Sequence, residues 1–396
     1  MKKSFFKSGF RPAKLLIAMV LGILLTVSCK EDYIYDEILP DWLGSSIYEY
    51  LEEDGNYTNY VKLINDLNYK EVFSLTGSKT LFVADDDAFK AFYANNPWGV
   101  KKYEDLTLAQ KKLILNFSMI NNAYLIETLS NYYSGGTFFE GTAMRRATAL
   151  SPFDSLSFDM GEVLPTSKYF DNYREKGMYL MKDATVSPAV YFTQKFLNKH
   201  NITNEDVSYI SGSIFNGGQL RQKDDMHLFD VKIIERDIVC KNGYIHKMDK
   251  VLIPHTNMAS FIKTNNQTKI FSKLLDRFSL PVYDPSINAT YKTLHPEFTD
   301  SIFVKKYLAA LGGTAKLPNG QNAPNLLPFD PGWNAYSVSQ AASSLPADMA
   351  VIFAPSDEAM NNYFNSGVGE LLRARFGSWE NIPDNIIVPF LKRHMR

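Results

Sequence analysis

One arrangement occurs twice in this chain, and it restricts the fold more than any other feature. Asn56–Leu67 sets Tyr60, Leu63, Ile64 and Leu67 at helical spacing, and Gln267–Phe278 carries the same pattern in the same phase. Each helix is followed, at a different distance, by a short apolar strand that runs into an acidic turn. The first is Thr80-Leu81-Phe82-Val83-Ala84-Asp85-Asp86-Asp87-Ala88-Phe89, and the second is Ala350-Val351-Ile352-Phe353-Ala354-Pro355-Ser356-Asp357-Glu358-Ala359-Met360. A strand feeding a helix accounts for both: Asp85 or Ser356 caps the helix, and the acids behind it favour the positive end of the helix dipole. In the first copy Thr107-Leu108-Ala109-Gln110 then reads as a capping box, with Leu106, Leu113, Phe117 and Ile120 along one face. That helix ends in Leu115-Asn116-Phe117-Ser118-Met119, and the second copy has Leu391-Lys392-Arg393-His394-Met395 at the matching place.

A further signature closes the first copy: Asn242-Gly243-Tyr244-Ile245-His246-Lys247-Met248-Asp249-Lys250-Val251-Leu252-Ile253-Pro254. Asn-Gly between alternating strands is a hairpin signal in its own right. Taken in order, the strand-turn and the Asn-Gly segment resemble the two signatures of the fasciclin (FAS1) domain family. The resemblance implies an α+β fold, a wedge of small β-sheets with helices packed along one side, in two tandem copies. It implies extracellular adhesion through protein or glycan contacts, with His246 and His394 as structural, hydrogen-bonded histidines.

The resemblance covers residues 42–256 as domain 1 and 257–396 as domain 2. The first copy is long for the family, with an insertion around 133–225; the second carries one around 281–348, where Leu311-Gly312-Gly313 and 317–324 are loop chemistry. The second copy reaches Arg396 just after its central helix, without closing strands or an Asn-Gly segment. Unpaired sheet edges are expected to make 257–396 the less stable half, or the natural protein to continue.

Five cations, Lys2, Lys3, Lys7, Arg11 and Lys14, precede the apolar run 15–25, which is too short to span a bilayer as a helix and fits a secretory signal over 1–28. Thr26-Val27-Ser28-Cys29 resembles a bacterial lipobox, which makes Cys29 the lipidation site and 29–41 a tether. Lys30, Glu31 and Asp32 resemble the surface-export tag of Bacteroidota-type lipoproteins. An outer-membrane, surface-exposed lipoprotein follows as the expectation. Without the five leader cations, 37 basic residues face 43 acidic ones, a balance that argues against a nucleic-acid partner.

No phosphate loop, G-x-S-x-G, H-E-x-x-H or C-x-x-C is present, and two cysteines support neither a disulfide framework nor a zinc cluster. Asp85, Asp86 and Asp87 read as capping residues before they read as metal ligands, so no catalytic residue, metal or cofactor is expected. His200 or His227 facing an acid in a deep pocket would reopen the question. The chain is rich in Tyr and Phe, and Tyr132, Tyr133, Phe138 and Phe139 cluster inside the first insertion, where they are candidate ligand contacts. The expected partner is an extracellular protein or glycan. The second reading is an accessory glycan-binding lipoprotein of an outer-membrane nutrient-uptake complex, with those aromatics as a sugar platform.

Overall fold

The structure, a computed structural model, describes residues 44–75, 77–181, 188–210, 220–311, 315–317, 319–332 and 350–396. Cys29, Lys30, Glu31, Asp32 and the leader lie outside the described residues. From Gly44 on, the chain is mixed α+β.

The first copy opens with α1 (Ile47–Asp54), started by a Ser46–Glu49 capping box, and α2 (Thr58–Asp66). The strand-turn then forms β1 (Lys79–Ala84) and α3 (Asp86–Ala94), and the second amphipathic segment forms α4 (Leu108–Phe117), started by the Thr107–Gln110 box. Met119–Ile120, β2, returns antiparallel to β1. The Asn-Gly segment is the expected hairpin, β10 (Val231–Cys240) and β11 (Gly243–Met248), with β11 lying parallel to β1. Gly is required at 243 because β1 crosses too closely for a side chain: a Cβ there would sit 2.0 Å from the Lys79 carbonyl oxygen. Asn242 is buried for a separate reason. Its amide donates to the Phe73 carbonyl at 2.8 Å and accepts the Ile47 N–H at 2.9 Å, which ties α1 to the sheet.

The insertion at 133–225 is not simply an appended loop. β5 (Arg145–Arg146), β8 (Ala189–Phe192) and β9 (His227–Leu228) extend the main sheet to seven strands in the order β2-β1-β11-β10-β9-β8-β5. One cluster packs α1, α2, α3 and α4 around Tyr60, Leu63, Phe73 and Phe89. Another, around Phe82, Phe117, Tyr191 and Leu228, holds the inserted strands against the repeat.

In the second copy, α7 (Lys269–Asp276) stands for α2, α9 (Asp357–Phe364) for α3 and α11 (Asp384–His394) for α4. The segment Val351–Phe353 pairs with His394–Arg396 as β1 pairs with β2. Val351 and Arg396 exchange bonds of 2.8 and 2.9 Å, and Phe353 N–H donates to the His394 carbonyl at 2.9 Å. The copy has its own core of Phe271, Leu274, Leu275, Trp379, Ile387 and Leu391. β11 covers the far side of β1, whereas no second ladder flanks Val351–Phe353 among the described residues.

The 281–348 insertion departs from the loop expectation. It contributes most of β12 (Ser279–Tyr283), then α8 (Pro285–Leu294), β13 (Ile302–Tyr307), β14 (Ala309–Leu311) and β15 (Leu327–Phe329). β13 runs parallel to β7 (Met178–Met181) of the first insertion, pairing Ile302 with Tyr179, Phe303 with Leu180 and Val304 with Met181. With β6 (Leu156–Asp159) this makes a four-stranded sheet, β12-β13-β7-β6, drawn from both copies. Met181, Ile302 and Val304 are buried in it, packed by Ile287 and Tyr291 of α8, each contributing about 1.5–3 kcal/mol. Asn288 of α8 fixes the register by bonding both the N–H and the carbonyl of Ile302, at 2.8 Å each. Gly44–Arg396 is accordingly one compact unit.

Candidate functional site

The four aromatics singled out by sequence form a hairpin of their own, β3 (Tyr132–Ser134) and β4 (Thr137–Phe139). Gly135 and Gly136 make its two-residue turn with φ of +56° and +82°, the paired positive values that a type I′ turn needs and that glycine adopts freely. Tyr132 faces Phe139 and Tyr133 faces Phe138 across the ladder. Successive strand residues point to opposite faces, so each face carries one aromatic pair. Tyr132 and Phe139 stack with centroids 5.0 Å apart and planes 16° from parallel. Tyr133 is 69% exposed, Phe138 61% and Phe139 37%, which is unusual for rings that could bury 150–250 Å² each.

The root of the hairpin is held rigidly. The buried Arg146 guanidinium donates to the Leu129 carbonyl at 2.9 and 3.2 Å and to the Asn131 carbonyl, and lies 4.4 Å from the Tyr124 ring centroid. Tyr191 donates its hydroxyl to the same Leu129 carbonyl at 2.6 Å. Beyond the hairpin, Gly141 N–H donates to Asn131 Oδ1 at 3.0 Å, Lys195 pairs with Glu140, and Lys199 donates to the Glu140 carbonyl at 2.6 Å. Ser130 and Lys195 also line a cavity of about 330 Å³, together with Glu127, Asp224 and Arg236. The aromatic hairpin thus stands beside a polar recess on a fixed base.

His246 belongs to that base. Its Nδ1 accepts the Asp237 N–H at 3.0 Å, so Nε2 carries the proton and donates to the Tyr124 carbonyl at 3.0 Å. Burial pushes its pKa down to about 4, against the smaller upward pulls of the Tyr124 carbonyl and Asp237. Asp237 in turn accepts the Ile126 N–H at 2.8 Å. The pair therefore pins the stretch leading to the hairpin.

The other sequence candidates are held apart. Asp85 caps α3 by accepting the Ala88 N–H, Asp86 turns to α2, and Asp87 is exposed. No group of three His, Cys, Asp or Glu side chains is placed to hold a metal among the described residues. His394 donates from Nδ1 to the Phe390 carbonyl at 2.9 Å and packs edge-on to Phe271. The His200 ring lies 4.5 Å from that of Phe196. Burial, then the Arg221 charge, depress His227 to about 4 despite Asp225. Neither is hydrogen-bonded to a carboxylate among the described residues. Cys240 is buried, which pushes its thiol up to about 12.

Two features escaped the sequence reading. One is a buried ion cluster in which Asp276 accepts from Lys305 Nζ at 2.5 Å and from the Tyr307 hydroxyl at 2.7 Å. Mutual compensation of this kind is what keeps such charges inside. The other is a cavity at 166–169 and 273–278, to which segments distant in sequence contribute.

Fold and site together define a mixed α+β protein in which strands from both halves of the chain share one sheet and an aromatic hairpin faces solvent. Among solved structures, a FAS1 domain pair from the insect cell adhesion molecule fasciclin I is similar to this chain, at 13% identity and a TM-score of 0.21. The match covers 63% of this chain and spans 63% of that one. No protein-family model and no curated protein matches.

Proposed function

We propose that this chain is a fasciclin-like binding or adhesion protein of the cell surface, anchored through lipid on Cys29, whose ligand contacts center on the 132–139 hairpin. The exposure of Tyr133 and Phe138 on a rigidly rooted turn carries the reading. Aromatic anchors of this kind supply contact area at small entropic cost, because few torsions are immobilised on binding. A binding role in place of a catalytic one is supported by the structural hydrogen bonds that occupy His246 and His394. No helix among the described residues is long and apolar enough to cross a membrane, so the proposed attachment rests on the Cys29 lipobox and on the export tag Lys30, Glu31 and Asp32.

A glycan-binding role within an outer-membrane uptake complex is the second reading. The solvent-exposed rings of Tyr133 and Phe138 favour it, since an open aromatic face matches the C–H face of a pyranose. The test is a binding screen of the full chain in mild detergent against purified glycans and extracellular proteins. Saturable binding is expected, weakened about tenfold or more in Tyr133→Ala and Phe138→Ala. Binding that both substitutions leave unchanged would overturn the hairpin assignment, and glycans or proteins as the bound class would separate the two readings.

A further inference from the structure

The second cavity, about 690 Å³, lies where the first insertion meets the second copy. It is within the roughly 300–1,000 Å³ of ordinary small-ligand sites. Its floor is apolar: Phe278 at the end of α7 and Leu326 ahead of β15, with Tyr169 forming one wall. Tyr169 belongs to a 3-10 turn over Lys168–Tyr173 that Ser167 caps and that Arg174 braces, donating to the Pro165 and Ser167 carbonyls at 3.0 and 3.2 Å. That wall is therefore preformed.

The charges on the rim are not equivalent. Arg277 is already committed, to Asp384 at 2.6 Å and to the Ile382 carbonyl at 2.7 Å. Lys168 and Lys273 face the cavity from opposite copies, and neither has a carboxylate partner among the described residues. The Lys168 ammonium lies 5.5 Å from the Tyr169 ring centroid, so cation and aromatic wall adjoin. Glu380, on the same rim, offers an acceptor for hydroxyl groups.

We propose that this cavity binds a ring-bearing carboxylate of the uronic-acid class. The apolar ring face lies on Tyr169 and Leu326, the carboxylate sits between Lys168 and Lys273, and the hydroxyls point to Glu380. The combination is selective. A neutral sugar gains no attraction from the two ammonium groups, and inorganic phosphate leaves the apolar floor empty. The proposal stands apart from the hairpin, with which it shares no residue.

The experiment is calorimetric titration of the full chain in mild detergent with a galacturonic-acid trisaccharide, a neutral glucose trisaccharide and inorganic phosphate. Saturable binding of the acidic trisaccharide is expected, about tenfold tighter than of the neutral one. Lys168→Gln/Lys273→Gln should weaken it about tenfold and abolish its salt dependence. Both lysines are exposed, so this variant is expected to fold. Tyr133→Ala should leave the affinity unchanged, which separates this site from the hairpin. Equal affinity for acidic and neutral trisaccharides, equal affinity for phosphate, indifference to the double substitution, or no saturable binding would each overturn the proposal.

Discussion

Asp86 and Asp357 solve one problem in the two copies. Asp86 accepts the N–H groups of Thr58 and Asn59 at 3.0 Å each, and Asp357 accepts those of Lys269 and Ile270 at 3.1 and 2.7 Å. An acid following a strand thus caps a helix from an earlier part of the chain. Burial opposes ionisation of Asp86, but the bonds from Asn59 and Thr58 outweigh it and hold its carboxyl below the usual range. Where the copies differ, the difference is compensated. Tyr60, whose hydroxyl donates to the Phe82 carbonyl at 3.0 Å, goes with the small Ser118; Phe271 goes with the larger His394. Ser118→His alone should destabilise the chain by about 1–3 kcal/mol, because the Tyr60 site is filled. Adding Tyr60→Phe should recover part of the loss, and additive effects in urea unfolding would show the two positions to be uncoupled. The second prediction concerns His246. Its folded pKa of about 4 lies below the unfolded value near 6.5. Its contribution is therefore fully present above about pH 6.5 and fades as pH falls toward 4. In a pH series of melting temperatures, His246→Gln should give a flatter curve than wild type between these limits, and parallel curves would refute this.

At the scale of elements, the hairpin and the sheet strands show how differently strands are stabilised. β10 and β11 are long and lie inside a seven-stranded sheet, where pairing with neighbours holds them although the β10 ladder is broken between Ile233 and Ile238. β3 and β4 have three residues each and bury little; a free hairpin of that size is marginal in water. It persists because Arg146, Tyr191 and Asn131 bind the carbonyls and amides at its root. The shared sheet is held by the opposite means, a buried apolar face and the Asn288 bonds to Ile302. Leu180, at its centre, pairs with Ser157 on one side and Phe303 on the other. Leu180→Pro removes a ladder N–H from an interior strand, where proline is not accommodated.

For the whole molecule, this sheet decides how many cooperative units there are. Two repeats joined by a linker would melt separately, whereas a sheet drawn from both couples them. The full chain is expected to unfold in one calorimetric transition and Leu180→Pro in two. A single transition in the variant would mean that the contacts of Lys263 with the Val163 carbonyl and of Tyr169 with the second core suffice for coupling.

Much of this was legible in the residues because it is local. The helix phases at Tyr60 and Phe271, the caps at Asp85 and Ser356, the Thr107–Gln110 box and the Asn242-Gly243 hairpin depend on interactions a few residues apart. For the same reason the aromatics at 132–139 could be singled out as a cluster. Their exposure could not, since the same rings at the same spacing serve equally well in a core. The pairing of β7 with β13 was hidden for a further reason. The partners lie more than a hundred residues apart, and their apolar runs specify burial without specifying which strand supplies it. The cavity between Lys168 and Lys273 depends on that pairing, so it exists only in the folded chain. The amino-acid order determined the repeated elements and their ends; tertiary packing decided what the insertions between them became.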